Sequence, residues 1–344
     1  MLAWRLVCSS TPAAALHTKN APERETNATK RHEWLTVTPP RRRHATTPRR
    51  DRPTDGDEIA RLMKAMEAVK PLHEPMGKPG PVDWLANVEE AGQTFQEYIH
   101  SRPSLPEGRR RVLYIQPLGA FTQEQRRIVA LTGEYMKQFF NLPVVIRDDL
   151  PLSLVPKTAR RPAPGTVLAN SSDSYPHEYE QLLTGYVLKE ILRPRLPEDA
   201  AALIAFTASD LWPSDDMNFV FGQASFTERV GVWSLFRFGN PSASADEFRL
   251  CLLRTMKLAT HETGHMFSMR HCTKYECNMS GTNHLAETDR RPVDVCPECM
   301  AKVCWATAQD PRERYERLAA FCAAQGLKNE QRFFEAAARA ATRI

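Results

Sequence analysis

Ile59, Leu62, Met63, Met66 and Val69 recur at spacings of three and four, the apolar stripe of an amphipathic helix, and Pro71 stops it. A second helical stretch is predicted over residues 82–100, before a Pro-rich break that runs to Pro106. Both read as packing elements laid against whatever follows. From Arg111 short apolar runs alternate with longer helical patterns. Val112-Leu113-Tyr114-Ile115 reads as a strand, residues 122–140 as a helix and Val144-Val145-Ile146 as a strand. Residues 150–175, rich in Pro and Ser, read as a loop, 179–192 as a helix and 202–207 as a strand. Two more strands, 218–225 and 230–238, are separated by a turn. Strands alternating with helices imply an α/β fold with a mainly parallel sheet, to which the last pair can add an antiparallel edge. That edge could take an extended peptide as an extra strand, with 218–225 as the favoured position; a covering loop is the bland alternative. Residues 311–325 and 328–343, parted by Gly326, read as a helical hairpin packed through Tyr315, Leu318, Phe321, Phe333 and Phe334.

The chain has 344 residues, 42% of them hydrophobic, enough to bury one large core or two lobes. No apolar run approaches the roughly 20 residues of a membrane span. The net charge of +5 is uneven: residues 1–54 hold 11 Lys and Arg against 4 Asp and Glu, so the rest of the chain is slightly acidic. This basic arm, with Arg41-Arg42-Arg43 and few apolar residues after Leu16, is expected to be disordered. A solvated tail, an organelle transit peptide and a nucleic-acid contact compete for it, but Glu23, Glu25 and Glu33 weaken the second and no nucleic-acid module supports the third. Eight cysteines, four of them in a metal-like pattern, fit a reducing, intracellular compartment, with the cytoplasm expected.

The chemistry concentrates in His261-Glu262-Thr263-Gly264-His265, followed by Ser268 and His271-Cys272. Residues 258–270 have helix-compatible composition, and on a helix residues four apart share a face, so His261 and His265 can grip one metal. Glu262 is rotated about 100° from His261. It misses the metal but can reach a water beside it, the position of a general base. His271 lies six residues after His265, so the helix must end near Ser268 and the chain turn back. Three neutral nitrogens leave zinc a fourth position open for water. The alternative, ordinary histidines on an amphipathic helix, leaves the following residues unexplained.

Cys272, Cys277, Cys296 and Cys299 form C-x4-C-x18-C-x2-C. Four sulfurs make a closed structural zinc site; a redox CxxC or two disulfides are the other readings. Because Cys272 adjoins His271, locking the sulfurs would fix the third histidine. Cys304 could stand in for one ligand, whereas Cys8, Cys251 and Cys322 read as isolated thiols.

HExxH-xx-S-xx-HC-x4-C-x-M, followed by CxxC, resembles the archaemetzincins, zinc metallopeptidases of the metzincin clan, and the resemblance runs from about Arg111 to Trp305. It implies His261, His265 and His271 as catalytic zinc ligands, Glu262 as general base and Met279 as the Met-turn residue beneath the metal. It also implies a second zinc on Cys272, Cys277, Cys296 and Cys299. The family motif usually has Gly where this chain has Ser268, and Gly tolerates the left-handed backbone of a sharp turn. The expected architecture is a metzincin-like mixed sheet with an active-site helix, a zinc-stapled C-terminal subdomain and a helical tail. Its expected divisions are a 1–54 arm, a 55–110 helical extension, a 111–305 catalytic domain and a 306–344 hairpin. The expected function is hydrolysis of peptide bonds with two zinc ions per chain, acting as a monomer on a peptide or protein, with no nucleic acid or membrane partner. Tyr275 could reach the oxyanion, packing being its other role. A zinc-stabilised binding module with weak turnover, or a zinc hydrolase of non-peptide substrates, would carry the same ligands.

Overall fold

The computed structural model describes residues 5–7, 56–162, 179–225 and 227–341. In chain order it runs β1 (Arg5–Val7), α1 (Gly56–Val69), α2 (Trp84–Asn87), α3 (Phe95–His100), β2 (Val112–Leu118), α4 (Gln123–Phe140) and β3 (Val144–Ile146). Then come β4 (Arg160–Pro162), β5 (Glu180–Leu183), α5 (Thr184–Tyr186, widening into π turns over Val187–Leu192), β6 (Ala200–Thr207), β7 (Asp210–Trp212), β8 (Val220–Ser225) and β9 (Val230–Ser234). Five helices complete the described chain: α6 (Ala245–Met266), α7 (Leu285–Arg290), α8 (Pro297–Thr307), α9 (Pro311–Ala324) and α10 (Lys328–Ala341).

The main sheet has the order β1-β8-β9-β6-β2-β3. The four strands β9, β6, β2 and β3 are mutually parallel, and β8 runs antiparallel to both β9 and β1. Every residue of β6 is buried. Successive side chains point to opposite faces, so Ala202, Ile204 and Phe206 join the larger core with the long helices, while Leu203 and Ala205 join a smaller one under α5. A strand covered on both faces must be apolar throughout, which is why β6 reads as an unbroken run. A second, three-stranded sheet, β4-β5-β7, lies outside the main one.

The long α/β segments fall where the periodicity places them. At α4, Thr122 and Gln125 form a reciprocal capping box, and Asn141 ends the helix in the left-handed conformation. The structure departs from expectation in five places, one being that the strand expected over 230–238 ends at Ser234, with Phe236–Phe238 in a 3-10 turn. Residues 82–100 are two short helices with an extended stretch between them. The helix expected from residue 179 begins only at Thr184, after β5. The 150–175 loop contains β4, its remainder from 163 lying outside the described residues. The edge strand reserved for substrate, β8, is paired on its outer side with Arg5–Val7, so the basic arm contributes a strand there. The rest of that arm lies outside the described residues.

Helix α6 carries the site. Ser244 caps it by accepting the Glu247 amide at 3.1 Å, and its 22 residues span about 33 Å at 1.5 Å per residue. Its C-terminal half, from Thr255 to Met266, is buried throughout. The C-terminal hairpin α9–α10 closes the far side of the core, with Tyr315 and Phe334 fully buried. From α9 the buried Arg314 reaches both carboxylate oxygens of the buried Asp294, in the loop before α8. The same Asp294 offers its carbonyl to the Asn278 amide at 3.1 Å.

Candidate metal centre

His261 and His265 stand one turn apart on α6, and their Nε2 atoms are 3.0 Å apart. Two nitrogens of a tetrahedral zinc site would lie about 3.3 Å apart given bonds of about 2.0 Å. The other nitrogen of each ring is already committed. His261 Nδ1 is 2.6 Å from the Asn278 carbonyl, and His265 Nδ1 is 2.7 Å from the Met269 carbonyl. A carbonyl can only accept, so each Nδ1 must carry the proton and each Nε2 presents its lone pair. His271 follows the same rule with a different acceptor: its Nδ1 lies 2.8 and 2.9 Å from the two carboxylate oxygens of Glu90. The three rings are fully buried and their ligand atoms lie within 4.8 Å of one another. Burial, reinforced by the neighbouring His271, holds His261 down at about 3, and burial keeps His265 well below its ordinary value. Both imidazoles are therefore neutral at physiological pH, the form a metal requires.

The helix ends as the motif spacing demands. Ser268 has φ +68°, its amide donates to the His265 carbonyl at 2.8 Å, and the Met269 amide donates to the Gly264 carbonyl at 3.0 Å. These two bonds are a Schellman motif with Ser268 at the left-handed position usually held by glycine. The reversal also swings the Met269 carbonyl back to His265 Nδ1, so the turn itself sets that tautomer. Gly264, between the two helical histidines, is required by contact: a Cβ there would sit 2.7 Å from Met279 Sδ. Met279 thus packs directly under the helix.

Glu262 is 1% exposed, and its Oε2 has no hydrogen-bond partner. Burial pushes its carboxyl up to about 8. A buried carboxyl oxygen without a partner is costly; its placement one residue after His261 offers it a water beside a metal, whose positive charge would return the group to the ionised form a general base needs. The donor set and this orphaned oxygen both fit zinc. A small pocket lies beside His261, lined by Phe221, Phe238 and Leu258 together with Lys257 and Arg291.

The second cluster also assembles. Cys272, Cys277, Cys296 and Cys299 are buried free thiols with their sulfurs within 4.8 Å of one another. Cys272 and Cys296 sulfurs are 3.6 Å apart, against about 3.8 Å for two corners of a tetrahedron with 2.3 Å zinc–sulfur bonds. Backbone amides of Met279 and Cys296 donate to Cys277 Sγ at 3.3 and 3.1 Å. Hydrogen bonds from the other three thiols hold Cys272 well below the ordinary thiol range, while burial pushes Cys277 and Cys296 well above it. Four sulfurs this close cannot all ionise without a cation, so the set fits a divalent metal and forms no disulfide. Cys304 lies outside it, its thiol on Met300 Sδ.

A third group, Asp83, His284 and Glu287, also brings its polar atoms within 4.8 Å of one another. It is already neutralised: Arg290 binds Asp83 at 2.7 Å and Arg291 binds Glu287 at 3.0 Å. It works as an anchor, since Glu287 accepts the Trp84 amide at the start of α2. Tyr275 packs near His73, with ring centroids 6.5 Å apart, and its backbone bridges to Pro75. Sequence reasoning missed Glu90, Asn278 and the Met269 carbonyl, because each acts through contacts that no local spacing encodes.

Helix, turn and histidine triad together have the form of a metallohydrolase centre on an α/β scaffold. Residues 200–304 match the model of Peptidase family M54. Archaemetzincin-2 of Homo sapiens is 33% identical over 291 residues, covering 75% of this chain and 77% of that protein. Archaemetzincin-2 of Macaca fascicularis is 32% identical over 296 residues, covering 77% and 78%. The crystal structure of an archaemetzincin from Methanopyrus kandleri is 25% identical, with 59% of this chain and 99% of that chain covered at a TM-score of 0.44. The chain belongs to the archaemetzincin family, peptidase family M54, and is a metallopeptidase, a hydrolase.

Proposed function

We propose that the protein hydrolyses peptide bonds with zinc held by His261, His265 and His271 and with Glu262 as general base. One observation carries this reading: three buried rings bring ligand nitrogens within 4.8 Å of one another, two of them with Nδ1 pinned by a carbonyl and Nε2 facing Nε2, beside a buried carboxyl oxygen that has no partner. When bound, zinc supplies a Lewis acid for the scissile carbonyl and lowers the pKa of water to about 7. Glu262 then accepts the proton of the attacking water and passes it to the leaving amine; it is the group that touches the reacting atoms. Met279 and the Schellman turn hold the triad from below and behind. The four cysteines hold a second, structural zinc that fixes the loop from His271 onward. Seven buried free thiols among the described residues support a reducing, intracellular location.

A peptide library incubated with zinc-loaded protein, with product masses read out, tests the reaction. Glu262→Gln should keep both metals yet lose about 100-fold to 10,000-fold in turnover. His265→Ala should lose the catalytic metal and activity together. Wild-type activity in Glu262→Gln, alongside failure of His265→Ala, would replace hydrolysis with a binding role for the same site.

A further inference from the structure

We propose that Glu90 is a positioning residue: its carboxylate accepts the Nδ1 proton of His271 and fixes the ring that supplies the third metal-facing nitrogen. The inference rests on the reading of His271 as a metal ligand. Both oxygens of Glu90 lie within 2.9 Å of His271 Nδ1, and the two side chains are 9% and 4% exposed. The corresponding acceptors of His261 and His265 are neutral carbonyls. A carboxylate acceptor makes a stronger, charge-assisted bond and leaves more electron density on the opposite ring nitrogen. His271 is thereby distinguished from the other two as the best donor of the three. It is also the ligand that most needs outside support, because it stands beyond the end of α6.

The carboxylate comes from 181 residues earlier in the chain, outside the stretch matched by the family model. The break between α2 and α3 delivers it. Had residues 82–100 formed one helix, Glu90 could not lie in the extended stretch that reaches His271. The segment is held on both sides. The Trp84 ring packs edge-on against His271 at 5.4 Å between centroids. Gln93 accepts the Arg270 amide at 3.2 Å, and the Phe95 amide donates to Glu298 at 2.8 Å. Lys302 donates to the Gln93 carbonyl. These contacts tie the extension to the loop that bears His271 and to helix α8, which carries Cys299.

The test uses the full chain with Glu90→Gln, which keeps the size and an acceptor oxygen, and Glu90→Ala, which removes both. Zinc affinity is measured by competition with a chelator, and cobalt replaces zinc for absorption spectroscopy. Loss of a metal-supporting carboxylate costs about 10-fold to 100-fold in affinity, so Glu90→Gln should lie near the lower figure and Glu90→Ala near the upper. The cobalt band of the histidine site should shift while the thiolate-to-cobalt band of the cysteine site stays put, showing that the fold is intact. The proposal is overturned if both variants bind within threefold of wild type with unchanged spectra. It is equally overturned if both metal sites weaken in parallel with a fallen melting temperature, since that marks a purely structural role. A wild-type protein that binds zinc tightly but cleaves no peptide would sink the proposed reaction and leave the Glu90 measurement readable.

Discussion

Replacing Ser268 with glycine sets three effects against one another, and the structure supplies each. Ser268 sits at φ +68°, where a side chain costs about 1–2 kcal/mol that glycine does not. Against that relief, Ser268 Oγ accepts the Ser104 amide at 3.0 Å, a bond contributing about 0.5–1.5 kcal/mol. Glycine also gives the unfolded chain more freedom, about 0.4–1 kcal/mol. The sum for Ser268→Gly should lie within about 1 kcal/mol of zero. Ser268→Ala keeps the strain and loses the bond, so it should be destabilised by about 1 kcal/mol and fall below the glycine variant. Thermal melts of the zinc-loaded proteins would resolve this, at about 1–2 °C per kcal/mol for a chain of this length. The three-histidine site should retain its metal in both variants, because the Schellman bonds are made by backbone. A glycine variant less stable than the alanine variant, or one that loses metal, would show that the hydroxyl does more than hold Ser104 and would refute the balance.

Elemental analysis should find two zinc ions per chain. A chelator should strip the three-histidine site first, together with activity, because the buried four-sulfur site offers no open position. Cys296→Ser should reduce the content to one ion; a single ion in the wild type that this change leaves in place would exclude the second site. Gly264→Ala puts a Cβ 2.7 Å from Met279 Sδ and 3.2 Å from its Cε. The expected cost is about 1–3 kcal/mol, with weaker zinc at the histidine site by chelator competition, and an unchanged melt would show the methionine to be slack.

The ligands were legible because their chemistry is written at fixed local spacing. His261 and His265 need only the pitch of a helix, and His271 needs only that the helix stop, which Ser268 does in the left-handed conformation. The cysteine pairs are likewise two local turns. Strand β6 was legible because burial on both faces leaves an unbroken apolar run; β2 and the partly exposed edge strand β3 were legible from short apolar, β-branched runs. What escaped is non-local. Residues 82–100 contain few helix breakers, yet Glu90 is extended because the other end of its hydrogen bond is His271. A local signal was available there: Thr94 and Glu97 form a capping box that starts α3, and Gly92 at φ +70° lies just before it. Strands β4, β5 and β7 have three or four residues each, too few for a period to declare itself. The pairing of Arg5–Val7 with β8 depends on a partner more than 200 residues away, and no pattern within the arm marks it.

The buried pair Asp294–Arg314 bears on which inherited changes this protein can survive. A premature stop after Trp305 would spare all seven proposed metal ligands and Glu262, and a motif search would score such a product as intact. It would nonetheless delete Arg314, together with the buried Tyr315, Leu318 and Phe334 of the hairpin, and leave the Asp294 carboxylate without its partner. Asp294 also holds the Asn278 amide, and the Asn278 carbonyl fixes the ring of His261. The damage would therefore arrive at the first histidine of the motif through two hydrogen bonds. For a carrier of such an allele, a helical tail with no chemistry of its own would decide whether the enzyme exists.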